Sequence, residues 1–355
     1  MNTMRIDLGH ASYDLVIERG CLRTLGEMIS GIYAGDKICI VSDTQVAVKY
    51  GEQVVTALEN KRYHVKLLTF KAGEESKTAE TLLGLCGQMI DFGLNRGHLI
   101  IALGGGVVGD VTGFAASILL RGIPYVQIPT TLLAQVDSSI GGKVAVDMPQ
   151  GKNLIGSFYH PKLVVIDPDV LATLSPAFLS DGMAEVIKYG AILDETLFEW
   201  LMHEVDLDNF SQHAEKIIER CCALKKNIVE QDEMDTGLRM ILNFGHTVGH
   251  AIEKCYNYTT YSHGQAVAIG MVVAARLGEV MGITPKGCAD KISKVCERFN
   301  LSTVFPDLAK ADILNAMGGD KKNIGKMFNF ILLKDIGQAV ITPFTMAELE
   351  EKLAL

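Results

Sequence analysis

The chain has 355 residues, of which 48% are hydrophobic and only 7% aromatic, and its formal net charge is −9. At roughly 150 residues per core this length calls for two domains, and cores of Leu, Ile, Val and Ala exclude disorder and fit a soluble α/β or α-helical enzyme. The acidic balance, with no basic block anywhere, excludes a nucleic-acid backbone as partner, so any site for an anion has to be built locally. Residues 1–20 alternate apolar and polar positions and lack the apolar core of an export signal. No apolar run reaches the ~18 residues of a membrane span. Cys21, Cys39, Cys86, Cys221, Cys222, Cys255, Cys288 and Cys296 show no C-x-x-C spacing and read as reduced core thiols of a cytoplasmic protein.

In chain order, residues 4–8 and 12–17 alternate as the strands of a hairpin around Gly9 and His10. Short apolar runs follow at 38–41, 65–70, 99–103, 126–128 and 164–166, separated by stretches of helical period. That alternation predicts a mostly parallel, Rossmann-like sheet in an α/β domain over residues 1–174, with ligands at the carboxyl ends of its strands. The run 99–103 leads directly into Gly104-Gly105-Gly106-Val107-Val108-Gly109-Asp110, a G-x-G-x-x-G match between a strand and a helix. Glycines there let backbone N–H groups close on a pyrophosphate at a helix N-terminus. The acid that usually follows about 20 residues later to hold a ribose is missing, which leaves Asp43, at the end of an earlier strand run, as the candidate.

The segment PTTLLAQVDSSIGGK, residues 129–143, is too polar for a buried helix and too long for a plain surface turn, and it reads as a loop wrapping a polar ligand. Lys152-Asn153-Leu154-Ile155-Gly156 repeats the theme of a basic group near glycine and reads as ligand-facing too.

Past Pro168 the alternation stops, and Ser175-Pro176 carries the cap and first-turn signature of a helix. Residues 175–355 read as an all-α domain, closed by a hairpin over 328–333 and 338–341. Glu185 and Lys188 stand three apart on one helical face, among apolar and glycine neighbours. An exposed ion pair is the commoner fate of that spacing, but a carboxylate in such surroundings wants a partner, and a metal is one. Arg239 begins a predicted helix that carries His246 and His250, four apart on one face, and His263 follows at the start of the next helix, 265–281. A helix face of satisfied histidines accounts for the pair alone. A third imidazole within the same eighteen residues points to a metal, and a catalytic zinc site uses three N or O ligands with a position left open, so a carboxylate from a distant segment would complete it.

GGGVVGD, PTTLLAQVDSSIGGK, KNLIG, GMAEVIKYG, LRMILNFGHTVGHAIE, SHGQAVAIGM and DKKN run in order over most of the chain. Together they closely resemble the 3-dehydroquinate synthases, within the sugar phosphate cyclases. The resemblance implies an N-terminal domain binding NAD and a C-terminal helical domain carrying a divalent metal, zinc or cobalt. The implied substrate, 3-deoxy-D-arabino-heptulosonate 7-phosphate, lies in the cleft between them. By motif the metal ligands are Glu185, His246 and His263, with His250 a polar group of the site. Implied NAD contacts are Asp43, Glu74, Lys77, Gly105, Gly106, Val107, Val108, Gly109, Asp110, Thr130, Thr131, Asp137, Lys143, Lys152 and Thr173. At position 45 the family often has asparagine, and this chain has Gln45. Implied substrate contacts are Lys143, Asn153, Lys188, Lys225, Arg239, Asn243, His250 and either Lys321 or Lys322, with Arg121 reaching in from the second subunit of a homodimer. Cations gathered in an acidic protein would focus their field on a doubly anionic ligand, and arginine favours a bidentate grip on carboxylate or phosphate.

The implied reaction oxidises the substrate at C5, eliminates phosphate, returns the hydride and closes the carbocycle by an aldol step, as part of the shikimate pathway to aromatic amino acids. Two alternatives accompany it. Another sugar phosphate cyclase would act on a substrate without the carboxylate. A metal alcohol dehydrogenase resembling glycerol dehydrogenase would have no use for cations around a phosphate.

Overall fold

The computed structural model describes residues 2–318 and 327–353, so Lys321 and Lys322 lie outside the described residues. The chain divides into two compact units, one of Met1–Leu174 with Ala214–Met234 and the other of Ser175–His213 with Asp235–Leu355.

The strands of the first unit are β1 (Asn2–Ile6), β2 (Tyr13–Ile17), β3 (Lys37–Asp43), β4 (His64–Phe70), β5 (Leu99–Gly104), β6 (Tyr125–Pro129), β7 (Lys143–Met148), β8 (Gly151–Phe158) and β9 (Leu163–Ile166). Seven of them form one sheet in the order β1-β2-β9-β6-β5-β3-β4, parallel except for the β1–β2 pair. The apolar runs are nearly continuous because both faces are covered. Along β3, Ile38 and Ile40 join one core with Ile101, Leu103 and Val126, while Cys39 and Val41 join the other with Ile100 and Tyr125. Chain direction across the sheet reverses between β3 and β5, since β4 lies outside β3 and β6 lies beyond β5. A reversal of that kind opens a crevice at the carboxyl ends of its two strands. Ser42 pairs with Leu103 there, so Asp43 and the glycine-rich turn end up side by side although sixty residues separate them.

The segment expected to be a ligand-wrapping loop is more ordered than that. A π-helical turn at Ala134–Ser138 is followed by β7, and β7 pairs with β8 as an antiparallel hairpin that carries Lys143 on one strand and Lys152 and Asn153 on the other. Glycines and charges flanking the short Val144–Val146 alternation hid these strands.

The second unit contains helices Pro176–Leu193, Glu195–His203, His246–Cys255, His263–Val280, Cys288–Arg298, Lys310–Ala316 and Met346–Lys352, and one hairpin of β10 (Met327–Asp335) and β11 (Gln338–Thr345). Among the described residues it is helical, with the closing hairpin expected from the sequence. Helix Phe210–Gln231 departs from a boundary drawn once at 174/175, because from Ala214 onward it belongs with the first unit. The reason is polar as well as apolar. Cys222 Sγ donates to Gln135 O at 3.3 Å, Lys225 Nζ pairs with Asp137 Oδ1 at 2.6 Å, and Asp7 N donates to Glu230 Oε1 at 2.6 Å. Among the described residues no helix is long and apolar enough to cross a membrane.

Candidate active site

Ser175 caps helix Pro176–Leu193 and Pro176 starts it, and the stretch from Gly182 to Ile192 is buried on every side. Glu185 and Lys188 are therefore buried as well, at 0% and 1% exposure, and Lys188 Nζ pairs with Glu185 Oε2. Glu185 Oε1 lies 3.4 Å from His246 Nε2 and 3.3 Å from His263 Nε2. Three glycines make this convergence possible. A Cβ on Gly270 would sit 2.0 Å from Gly245 O, one on Gly245 would sit 2.8 Å from Val267 O, and one on Gly249 would sit 3.1 Å from Ala266 O. Helices His246–Cys255 and His263–Val280 thus touch backbone to backbone, and His246 and His263 come within 5.2 Å between ring centroids. A capping box of Ser262 and Gln265 sets the start of the second helix at His263, and Gly264 N donates to Asp181 Oδ1, which ties that start to helix Pro176–Leu193.

Arg239 does not share the histidine helix. It lies in a 3-10 turn, Leu238–Asn243, and the left-handed Gly245 (φ 79°) separates that turn from the helix that begins at His246. The turn leaves Arg239 buried at 3% exposure and Asn243 exposed.

The donor set fits a divalent cation. One carboxylate and two imidazoles present ligand atoms within 4.8 Å of one another. His246 Nδ1 is 3.1 Å from Phe244 O, and donation to that carbonyl leaves the Nε2 lone pair facing a carboxylate oxygen. Two acceptors face to face need a cation between them, and an oxygen–nitrogen set of this kind suits a divalent metal ion. Burial alone would raise the Glu185 pKa, but the charge of Lys188 and then His246 and His263 hold it well below the usual carboxylate range. Burial pushes the His246 pKa down against the pull of Glu185. For His263 burial acts the same way, yet hydrogen bonds to Glu185 and Glu253 win and carry it up to about 10. Glu253, 2% exposed, is 2.7 Å from His250 Nδ1 and 3.7 Å from His263 Nδ1 through the same oxygen. It is the second carboxylate of the site, and His250 stands exposed beyond it.

In the first unit, helix Gly106–Ile118 has Gly105 at its N-cap with no side-chain acceptor, which leaves its first N–H groups available to an anion. The backbone there is closely fitted, since a Cβ on Gly105 would lie 3.0 Å from Thr131 Cγ2 and one on Gly106 would lie 3.2 Å from Ser138 Oγ. Val107, Val108 and Gly109 continue this first turn. Thr130 Oγ1 is buried without a hydrogen-bond partner among the described residues, an unmet polar group beside the same turn. Asp43 caps Thr44–Val46 with one oxygen, Oδ1, which accepts from Gln45 N at 2.8 Å and Val46 N at 2.9 Å, so position 45 contributes through its backbone. No hydrogen bond to its other oxygen is seen among the described residues. These features fit a dinucleotide.

Lys77 Nζ pairs with Asp110 Oδ2 at 2.6 Å, and Lys152 Nζ lies 3.6 Å from Glu74 Oε1. Burial pushes the Asp110 pKa up despite Lys77. Burial would lower the Lys77 pKa, but Asp110 and Glu74 together raise it, so one lysine serves several acids. Lys225 Nζ is held by both the side chain and the carbonyl of Asp137. Thr173 Oγ1 bonds Tyr50 OH at 2.7 Å, and Lys143 is exposed at the start of β7. Arg121 is exposed in a left-handed stretch, with φ 52° at Leu120, 69° at Arg121 and 122° at Gly122, and Arg96 Nε donates to Leu120 O at 2.6 Å.

The profile described as 3-dehydroquinate synthase N-terminal matches residues 67–181, and that described as 3-dehydroquinate synthase C-terminal matches residues 182–323. The 3-dehydroquinate synthase of Clostridium botulinum (strain Alaska E43 / Type E3) is 49% identical over 341 residues, which is 96% of this chain and 97% of that protein. The chain belongs to the 3-dehydroquinate synthase family. Among solved structures it is similar to 2-deoxy-scyllo-inosose synthase complexed with carbaglucose-6-phosphate, NAD+ and Co2+, with a TM-score of 0.89 at 27% identity over 99% of each chain. It is also similar to ValA, the 2-epi-5-epi-valiolone synthase of Streptomyces hygroscopicus subsp. jinggangensis with NAD+ and Zn2+ bound, with a TM-score of 0.87 at 28% identity over 98% of this chain and 97% of that one. Within a 3-dehydroquinate synthase family fold, the residues that the sequence reading missed are Glu253 and Asp181. Glu253 had a usable signal, since it stands three after His250, the same spacing that singled out Glu185 and Lys188. Asp181 acts through a backbone N–H on another helix, and spacing alone carries no trace of that.

Proposed function

We propose that the chain converts 3-deoxy-D-arabino-heptulosonate 7-phosphate into 3-dehydroquinate and phosphate, with NAD and a divalent metal as its cofactors. The observation that carries this reading is 49% identity to the 3-dehydroquinate synthase of Clostridium botulinum over 96% of the chain. Glu185, His246 and His263 would hold the metal, and the turn Gly105–Val107 with Asp43, Thr130 and Thr131 would hold NAD. When bound, NAD supplies an acceptor that takes the C5 hydride and returns it, and the metal supplies a Lewis acid for the C5 oxygen.

The chain's own residues account for the rest. Phe244 O fixes the His246 tautomer, and Lys188 balances the Glu185 charge beside the proposed metal. Arg239, buried and planar, suits the substrate carboxylate, and Lys225 is steered by Asp137. Lys143 and Asn153 complete the polar contacts. Once C5 is a ketone its neighbouring C6 hydrogen is acidic, and phosphate leaves by β-elimination into cationic surroundings. Ring opening and an intramolecular aldol then need positioning more than further acid or base.

The test is phosphate release from the heptulosonate phosphate compared with glucose 6-phosphate, each with NAD and Zn2+. Release from the first alone supports the reading. Preference for glucose 6-phosphate would favour a different sugar phosphate cyclase, and Arg239 would then have no carboxylate to bind.

A further inference from the structure

Asn153 lies on β8 with φ 57°, a left-handed backbone that is uncommon outside glycine, is tolerated by asparagine more than by most residues, and is held here by its neighbours. Asp147 supplies that hold. The β7–β8 ladder slips between Val146 and Met148, so Asp147 occupies a bulge, a device that re-aims a side chain. Its Oδ1 accepts the Asn153 N–H at 2.7 Å. Its own N–H donates to Lys77 O at 2.8 Å, and Lys77 Nζ donates to Asn153 Oδ1 at 2.6 Å and pairs with Asp110 at 2.6 Å. With Oδ1 of Asn153 engaged by Lys77, the amide nitrogen is left to donate to a ligand.

We infer that Asp147 is a positioning residue: it locks Asn153 in its left-handed backbone and so aims the Asn153 amide at substrate. The inference rests on the reading above that Asn153 contacts substrate. In this proposal Asp147 itself makes no substrate contact. It acts through a hydrogen-bond acceptor at one fixed point, and that sets it apart from a residue that merely adds negative charge near Lys77.

The experiment measures kcat and KM for Asn153→Ala, Asp147→Ala, Asp147→Asn, Asp147→Glu and the Asp147→Ala/Asn153→Ala double variant, each checked for folding by circular dichroism. Misplacing a contacting group by an ångström costs on the order of a hundredfold, so Asp147→Ala and Asp147→Glu should each lose about that much in kcat/KM, the latter because its acceptor sits one methylene too far. Asp147→Asn keeps an acceptor oxygen in place without the charge and should stay within about fivefold of the parent. The loss from Asp147→Ala should vanish in the Asn153→Ala background, because the two residues act as one. Normal kcat/KM for Asp147→Ala, equal losses for the Asn and Glu variants, or full additivity in the double variant would each overturn the inference. An unimpaired Asn153→Ala enzyme would instead overturn the substrate contact, and the inference with it. Should Asp147→Ala not fold, the contrast between the Asn and Glu variants decides the matter alone.

Discussion

Lys188 and Glu185 show what a single buried pair can do: each would be costly alone, and together they present a charged but neutralised ligand to the two histidines beside it. Replacing one member of the cluster should therefore remove the metal, not weaken it slightly. His263→Ala is expected to lose bound metal and activity together, measured by elemental analysis of the purified variant, and full metal occupancy in that variant would refute the ligand assignment. On the proposed role of Arg239, Arg239→Ala would break a desolvated charge pair with the substrate carboxylate, a loss of about 3–5 kcal/mol, so kcat/KM should fall by a hundredfold or more. An unchanged value would put the carboxylate elsewhere. Burial pushes the thiols of Cys21, Cys39 and Cys296 up to about 12, and Cys255, held up by burial and then Asp312, is the one that is only half-buried. Alkylation of the native protein at pH 8 should accordingly mark Cys255 first, as read by peptide mass mapping; early labelling of Cys222 would contradict the packing. The histidines were legible at this scale because a third imidazole follows closely on the four-residue pair. Glu185 was legible only through its apolar neighbours, and the one sequence signal for Glu253 was its position three after His250.

At the scale of elements, the site depends on two helices whose backbones touch. Gly270→Ala drives a methyl group into Gly245 O, with no flexible side chain to give way, so it should destabilise the fold by about 1–3 kcal/mol and lower metal content as His246 moves from His263. Gly84→Ala is the matched control. It sits inside helix Ala79–Asp91 with nothing within 4 Å, and it should stabilise by about 0.5–1 kcal/mol. Thermal melts of the two variants beside the parent check both signs. The parallel strands were legible as apolar runs because the sheet is covered on both faces. The β7–β8 hairpin was not, since its strands carry lysines and glycines in place of a clean alternation. The break between Arg239 and His246 was also hidden, because a glycine inside a helical period looks the same whether it is tolerated or left-handed.

At the scale of the whole molecule, the start of the helical part was visible at Ser175-Pro176, but the return of Ala214–Met234 to the first unit was not, because its ties to Gln135 and Asp137 are long-range. The resemblance further implies a homodimer in which Arg121 serves the other subunit's site. Sedimentation across a dilution series should show activity falling as dimer dissociates, and a fully active monomer would leave Arg121 needing another role. The central claim is that NAD works here as a catalyst that is regenerated within each turnover. It is tested most directly by following reduced-nicotinamide absorbance and phosphate release together, with the heptulosonate phosphate in large excess over NAD. The account predicts many phosphates released per NAD with no lasting NADH. One NADH accumulating for each substrate consumed would contradict it and mark the protein as a dehydrogenase.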